Sequence, residues 1–240
     1  MTNSLHLKET DSTNNTLNEL SCREKLPEGY IVYTDYQTSG KGQTGNSWHS
    51  EWGENALFSL LLYPRHIHLA EHFILSQLIG IAVKKALDQY TADITIKWPN
   101  DIYWKDRKIA GILIENTVKG ATLDKAVIGI GININQEKFP DTLPNPVSLY
   151  EITGVKINME DIIHSVRHNI LDLYCHWDQE QIRLNYRQML YRGENSHMFE
   201  SEGEKFEARI IEVQADGRLD LQDTTGKTRC FYMKEVRFIP

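Results

Sequence analysis

Apolar residues recur along the chain with two different periods. Within 69–90, Leu75, Leu78, Ile79, Ala82, Ala86 and Leu87 fall at three- and four-residue spacing and form one apolar face, which predicts a helix packed on a core. Ile162, Ile163, Val166, Ile170, Leu173 and Trp177 repeat the pattern over Met159–Trp177. A shorter helix is predicted to start at Ser12 or Thr13 as N-cap and to run through Leu17 and Leu20. Elsewhere the apolar runs are short and β-branched. Tyr30–Tyr36, Ala56–Tyr63, the alternating Ile94 and Ile96, the two runs flanking a charged turn at 105–107, and Lys125–Asn135 all predict strands, with Pro99 ending one of them. Strands and helices interleave irregularly, which favours an α+β body with a mixed β-sheet and helices on one side more than the other. After Tyr191 the texture changes to short alternating strands with hairpin signals at Asp216-Gly217 and Thr225-Gly226-Lys227. The expected organisation is a body over residues 1–190 and a small β-barrel over 191–240.

Composition adds limits. With 40% hydrophobic and 25% charged residues in 240, the chain is an ordinary globular one with ample core material. Its net charge of −7 disfavours nucleic-acid binding, which rests on clustered Lys and Arg neutralising phosphates, but leaves room for a local cationic pocket. Cys22, Cys175 and Cys230 are scattered and form no C-x-x-C, so neither a disulfide framework nor a zinc site is expected. The N-terminal stretch lacks the apolar centre of a signal peptide, and no run approaches the length of a membrane span. A cytoplasmic protein is expected, with no membrane partner.

"TSGKGQTGNSWHS" (Thr38–Ser50) contains G-x-G-x-x-G at Gly40, Gly42 and Gly45. A dinucleotide-binding turn needs a helix opening at the third glycine and an acid about 20 residues on. Here a second strand follows, and Walker A spacing is absent as well. The stretch is instead a polar glycine-rich loop between two strands.

Four segments together resemble the biotin protein ligases, in the same order and at similar spacing. They are "DSTN" (Asp11–Asn14), "YQTSGKGQTGNSW" (Tyr36–Trp48), "KWPNDIYWKDRKIAGILIE" (Lys97–Glu115) and "IGIGININ" (Ile128–Asn135). The resemblance runs from about residue 5 to residue 240. It implies a catalytic domain like that of class II aminoacyl-tRNA synthetases, followed by a small SH3-like C-terminal domain. It also implies a two-step ligase reaction. Biotin's carboxylate attacks the α-phosphate of ATP to give biotinyl-5′-AMP and pyrophosphate. The ε-amine of a lysine on a biotin carboxyl carrier domain then takes the biotinyl group.

The residues make physical sense of that chemistry. Bringing two unit negative charges to 4 Å costs roughly 1 kcal/mol in water and about 4 kcal/mol at an effective dielectric of 20, so fixed cations must offset it. Lys41, Lys97 and Lys108 lie in the motif segments. The resemblance places Lys108 at the biotin carboxylate, where it stabilises developing charge, and Lys97 and Lys41 at the phosphates. Asp101 suits either Mg²⁺ held through water or acceptance of a proton from the acceptor lysine. By resemblance, the biotin pocket comprises Ser12, Thr13, Asn14, Gln37, Gly40, Lys41, Gly42, Gln43, Trp48, Lys108 and Gly111. Ser12–Asn14 equally suit a helix cap, and Trp48 equally suits a core position. The adenylate set is Lys41, Gln43, Trp48, Lys97, Asn100, Asn133 and Ser148. The glycine loop would close over the mixed anhydride and exclude water.

Two departures from the family are visible. Many members carry arginines through the glycine loop where this chain has Gln43, which predicts a weaker hold on the adenylate. No DNA-binding segment precedes "DSTN", so no operator binding is expected. A monomer or homodimer acting on a carrier protein is the expected state. The readings that compete with a biotin ligase are a lipoate-type ligase of the same superfamily and a non-catalytic sensor of biotin or its adenylate.

Overall fold

The computed structural model describes residues 3–43 and 45–239. Its larger sheet contains β1 (Ser4–Thr10), β2 (Ile31–Gln37), β3 (Asn55–Leu62), β4 (Ile94–Lys97), β5 (Asp101–Trp104), β6 (Arg107–Lys119) and β7 (Thr122–Asn133). Their order is β1-β2-β3-β7-β6-β5-β4. β1 and β2 run parallel because helix α1 (Thr13–Arg23) carries the chain between them, and every other neighbouring pair is antiparallel.

Strand pleating sends alternate side chains to opposite faces. Val32, Leu61 and Val127 meet Leu17 of α1 on one face. Their neighbours Ile31, Leu60, Leu62 and Ile128 belong to the main core, together with the apolar faces of α2 (Phe73–Leu87), α4 (Met159–Cys175) and α5 (Gln179–Gln188). All eight residues of β3 are buried, as a strand covered on both faces requires. The mixed sheet flanked by helices, with more helix on one side, is therefore present.

Some elements differ from the expectation. β1 was not anticipated. It pairs on one side only and exposes about every second residue, so its apolar signal is thin. The helix expected over 69–90 is divided into a 3₁₀ turn at Leu69–Glu71 and α2. Two short helices, α3 (Leu149–Thr153) and α5, were not predicted. α5 buries only Ile182 and Tyr186.

The C-terminal strands β8 (His197–Ser201), β9 (Glu204–Val213), β10 (Leu219–Asp223), β11 (Thr228–Phe231) and β12 (Arg237–Phe238) form an antiparallel sheet ordered β11-β10-β9-β8-β12. Gly217 and Gly226 take positive φ at the expected turns. In place of the expected barrel the sheet is open: among the described residues, its end strands β11 and β12 do not pair. It packs closely on the body. The Trp98 indole N–H donates to the Gly217 carbonyl (2.8 Å), and Phe199, Ile210 and Leu219 belong to the same apolar core as α2. No helix among the described residues is long and apolar enough to cross a membrane.

Candidate active site

A cavity of about 840 Å³ lies between the start of α1, the strands β4–β7, the glycine loop and β12. Its floor is bare backbone. Gly111 of β6 and Gly131 of β7 are register partners, and Gly129 lies two residues before Gly131. The Trp48 indole rests on this strip. A Cβ at Gly131 would stand 2.5 Å from Trp48 Cε2, and one at Gly111 would stand 2.9 Å from Cζ3. The indole N–H is buried and has no hydrogen-bond partner among the described residues. Two backbone hydrogen bonds tie the two sides of the glycine loop together: the Gly42 N–H donates to the Asn46 carbonyl (3.0 Å) and the Trp48 N–H to the Gly40 carbonyl (2.8 Å).

One end of the cavity is a buried polar network. The Asn14 side-chain N–H donates to the Glu115 carboxylate (2.8 Å), which fixes the amide's orientation. Its Oδ1 then accepts from the Ser59 hydroxyl (2.6 Å). Ser59 Oγ also lies 2.7 Å from Thr13 Oγ1. Gln37 Oε1 accepts from the Thr13 backbone N–H (2.8 Å) and hydroxyl (3.1 Å), which leaves the Gln37 NH₂ beside Gly40. Ser12 sits at the N-cap of α1 but makes no side-chain capping bond. The capping interpretation is thus not realised, and its buried hydroxyl is at the cavity wall.

The other end is cationic. Lys97 of β4 pairs in register with Asp101 of β5, and Tyr103 of β5 with Lys108 of β6, so the sheet brings both lysines to one cavity. Lys108 Nζ is 2.7 Å from Asp101 Oδ1. Lys97 forms no ion pair among the described residues and donates to the Tyr103 hydroxyl (2.9 Å). Lys41 stands at the exposed rim and donates to Asn15 Oδ1. The Asn15 amide donates to Asp11, and this bond, against the opposing effect of burial, holds the Asp11 carboxyl below its ordinary value.

Of the expected site residues, Ser12, Thr13, Asn14 and Gln37 line the polar end. Lys41, Gly42, Gln43 and Trp48 line the loop side, and Lys97, Asn100, Asp101, Lys108 and Gly111 the strand side. Three stand outside the lining. Gly40 is behind the loop, where a Cβ would meet the Trp48 carbonyl oxygen at 2.5 Å. Asn133 is buried and donates to the Val147 carbonyl (3.0 Å), anchoring the proline-rich loop. Ser148 caps α3 in a reciprocal pair with Glu151. Thr44, inside the expected glycine run, lies outside the described residues.

Sequence reasoning missed several residues of the site. Ser59 and Glu115 stand behind the lining and support the polar end, and only a lone hydroxyl in an apolar run and an acid within β6 signalled them. Tyr103, Tyr191 and Phe238 surround Lys97. The last two come from segments that only tertiary packing brings near. Burial, followed by the bond that its hydroxyl donates to Asp106, pushes the Tyr191 phenol well above the usual tyrosine range. No group of three or more potential metal-ligating side chains occurs among the described residues.

Residues 7–133 match the model of the biotin/lipoate A/B protein ligase family. The chain is 37% identical over 159 residues to the bifunctional ligase/repressor BirA of Bacillus subtilis (strain 168), covering 65% of this chain and 48% of that protein. It is 25% identical over 232 residues to the biotin--protein ligase of Homo sapiens, covering 91% of this chain and 32% of that protein. It therefore spans about half, or less, of the length of these curated relatives. The fold matches the biotin protein ligase from Aquifex aeolicus in complex with biotin and ATP with a TM-score of 0.81 at 26% identity, over 100% of both chains. It also matches the Leishmania major biotin protein ligase in complex with biotinyl-5-AMP, with a TM-score of 0.68 at 20% identity, over 97% of this chain and 99% of that one. This second likeness concerns the fold alone.

Proposed function

Because the chain belongs to the biotin/lipoate A/B protein ligase family, we propose that it is an ATP-dependent biotin protein ligase. It forms biotinyl-5′-AMP with release of pyrophosphate, then transfers biotin to a lysine of a biotin carboxyl carrier domain. The observation that carries this reading is the meeting of Lys97 and Lys108 with the Ser12–Asn14 network and the glycine loop in one cavity.

The polar end suits a ureido ring. Ser12 and Thr13 offer hydroxyls, and Gln37 lines the same end of the cavity. In the first step a biotin carboxylate oxygen bonds to the α-phosphorus and the bond to pyrophosphate breaks. Lys108 meets the carboxylate and then the acyl–phosphate oxygen, exchanging Asp101 for substrate. Lys97 and Lys41 face the phosphates, with Asn100 holding the adjoining backbone through Ile112. Gln43 and Trp48 flank the adenylate, while Gly40, Asn133 and Ser148 shape its surroundings from behind the wall. In the second step the acceptor amine bonds to the acyl carbon, AMP leaves, and the amine loses a proton; Asp101 suits either taking that proton or holding Mg²⁺ through water.

Asp101 is a single carboxylate, which fits Mg²⁺ held mainly by water and nucleotide phosphates. The ion supplies further neutralisation of phosphate charge. We read residues 1–190 as the catalytic domain and 191–240 as an SH3-like unit, supported by the five short antiparallel strands of the tail. A monomer or homodimer in the cytoplasm is part of this reading, and the net charge of −7 supports the absence of a nucleic-acid partner.

The test is mass spectrometry of a carrier domain incubated with the protein, ATP, Mg²⁺ and biotin. One biotinyl group on one lysine is expected, and no modification with lipoate. An unmodified carrier overturns the proposal, and a lipoylated one assigns the chain to the lipoate side of the family.

A further inference from the structure

Lys97 and Lys108 line the same cavity but are held in different ways. Lys108 is neutralised by Asp101 at 2.7 Å. Lys97 has no carboxylate partner among the described residues. Its Nζ lies 4.3 Å from the ring centroid of Tyr103, 5.3 Å from that of Phe238 and 5.7 Å from that of Tyr191. All three fall within the range at which a ring face attracts a cation. The rings also brace one another: Tyr103 and Tyr191 have centroids 5.2 Å apart, and Tyr191 and Phe238 5.9 Å apart. Tyr191 is further fixed by donating its hydroxyl to Asp106. A carboxylate in the same place would hold the ammonium too, but it would cancel the charge and repel an incoming phosphate. Aromatic faces hold the ammonium and leave its charge available.

Resting on the ligase reading above, we propose that Tyr103, Tyr191 and Phe238 form a neutral cage that positions Lys97 as the uncompensated cation for the polyphosphate of the nucleotide. Phe238 thereby makes the C-terminal sheet a positioning part of the first step. The cage acts through Lys97 and touches no reacting atom.

Phe238→Leu keeps apolar bulk and removes one ring face, Phe238→Tyr keeps the face, and Tyr103→Phe removes only the hydroxyl acceptor. Two readouts are taken on the full chain. In the substrate-free protein labelled with ¹³C-lysine, the Lys97 ε-methylene resonance is assigned by its loss in Lys97→Arg. It should lie upfield of the other lysines from the ring currents and move back toward them in Phe238→Leu. In biotin-dependent pyrophosphate release, Phe238→Leu should raise the KM for ATP about three- to tenfold, a loss of the order expected for one cation–π contact. The KM for biotin should stay within about twofold, and Phe238→Tyr should restore the ATP value. If Phe238→Leu does not fold, Phe238→Met carries the test with the same two changes expected, while Tyr103→Phe, which keeps its ring, should leave the methylene resonance upfield. An unshifted methylene resonance, or KM values for ATP and biotin that rise together, overturns the cage. If the unaltered protein releases no pyrophosphate, the ligase reading fails, and the resonance still decides the cage.

Discussion

Ser59 lies fully buried in β3, with its hydroxyl shared between Thr13 and Asn14. Replacing it with alanine leaves the Asn14 carbonyl without its donor in a site that water does not reach, a loss of about 1–3 kcal/mol. Ser59→Ala should therefore lower the urea midpoint of unfolding and, on the ligase reading, weaken biotin binding with it, as read by denaturation and calorimetry. Gly131 poses a question of space. A methyl group there would meet the indole at 2.5 Å, so Gly131→Ala should expel Trp48 from the strip and change its fluorescence. Gln43 lines the cavity from the glycine loop, and Gln43→Arg should slow release of a bound adenylate in a chase experiment. A release rate that is unchanged or faster would refute that. At this scale the sequence was informative about the lysines, because they stand in strand-forming, otherwise apolar runs. It was silent about Ser59: a single hydroxyl in "ALFSLLL" looks no different whether it points at a pocket or at solvent.

Helices and strands were legible in proportion to the apolar surface they bury. α2 buries most of its residues and announces itself, whereas α5 buries two and reads as polar. β1 hides for a related reason, being paired along one edge only. One contact between elements has a pH signature. His66, just beyond β3, meets Trp177 edge-on at 4.7 Å and Tyr174 at 5.4 Å near the end of α4. Burial lowers its pKa from the ordinary 6.5, partly opposed by Glu28. The folded state thus favours neutral imidazole. As pH falls below the ordinary value, the unfolded chain takes up the proton first and stability declines until the folded value is passed. Urea midpoints measured from about pH 7.5 to about pH 5 should fall less steeply for His66→Phe than for the parent chain. Equal slopes would show that other groups set the dependence.

The main core is shared by the two sheets, and the cavity takes residues from both. Hairpin spacing identified the tail's strands, but nothing local marked Phe238 as a cavity residue, since its place depends on how the tail packs. Gly217 is a close point of that packing: at φ 91, a Cβ there would meet Phe73 Cδ2 at 2.6 Å. Gly217→Ala should cost more than about 1 kcal/mol, since it adds a steric clash to an unfavourable φ, and on the ligase reading should raise the KM for ATP. Unchanged thermal unfolding would show that the interface yields. Lys97 and Lys108, in contrast, hang from strands on either side of β5, and their separation is a property of the sheet. Damage to the glycine loop leaves those two charges where they are. On the ligase reading, its symptom would be leakage: nucleotide consumed and activated biotin lost to hydrolysis, with too little of it reaching the carrier.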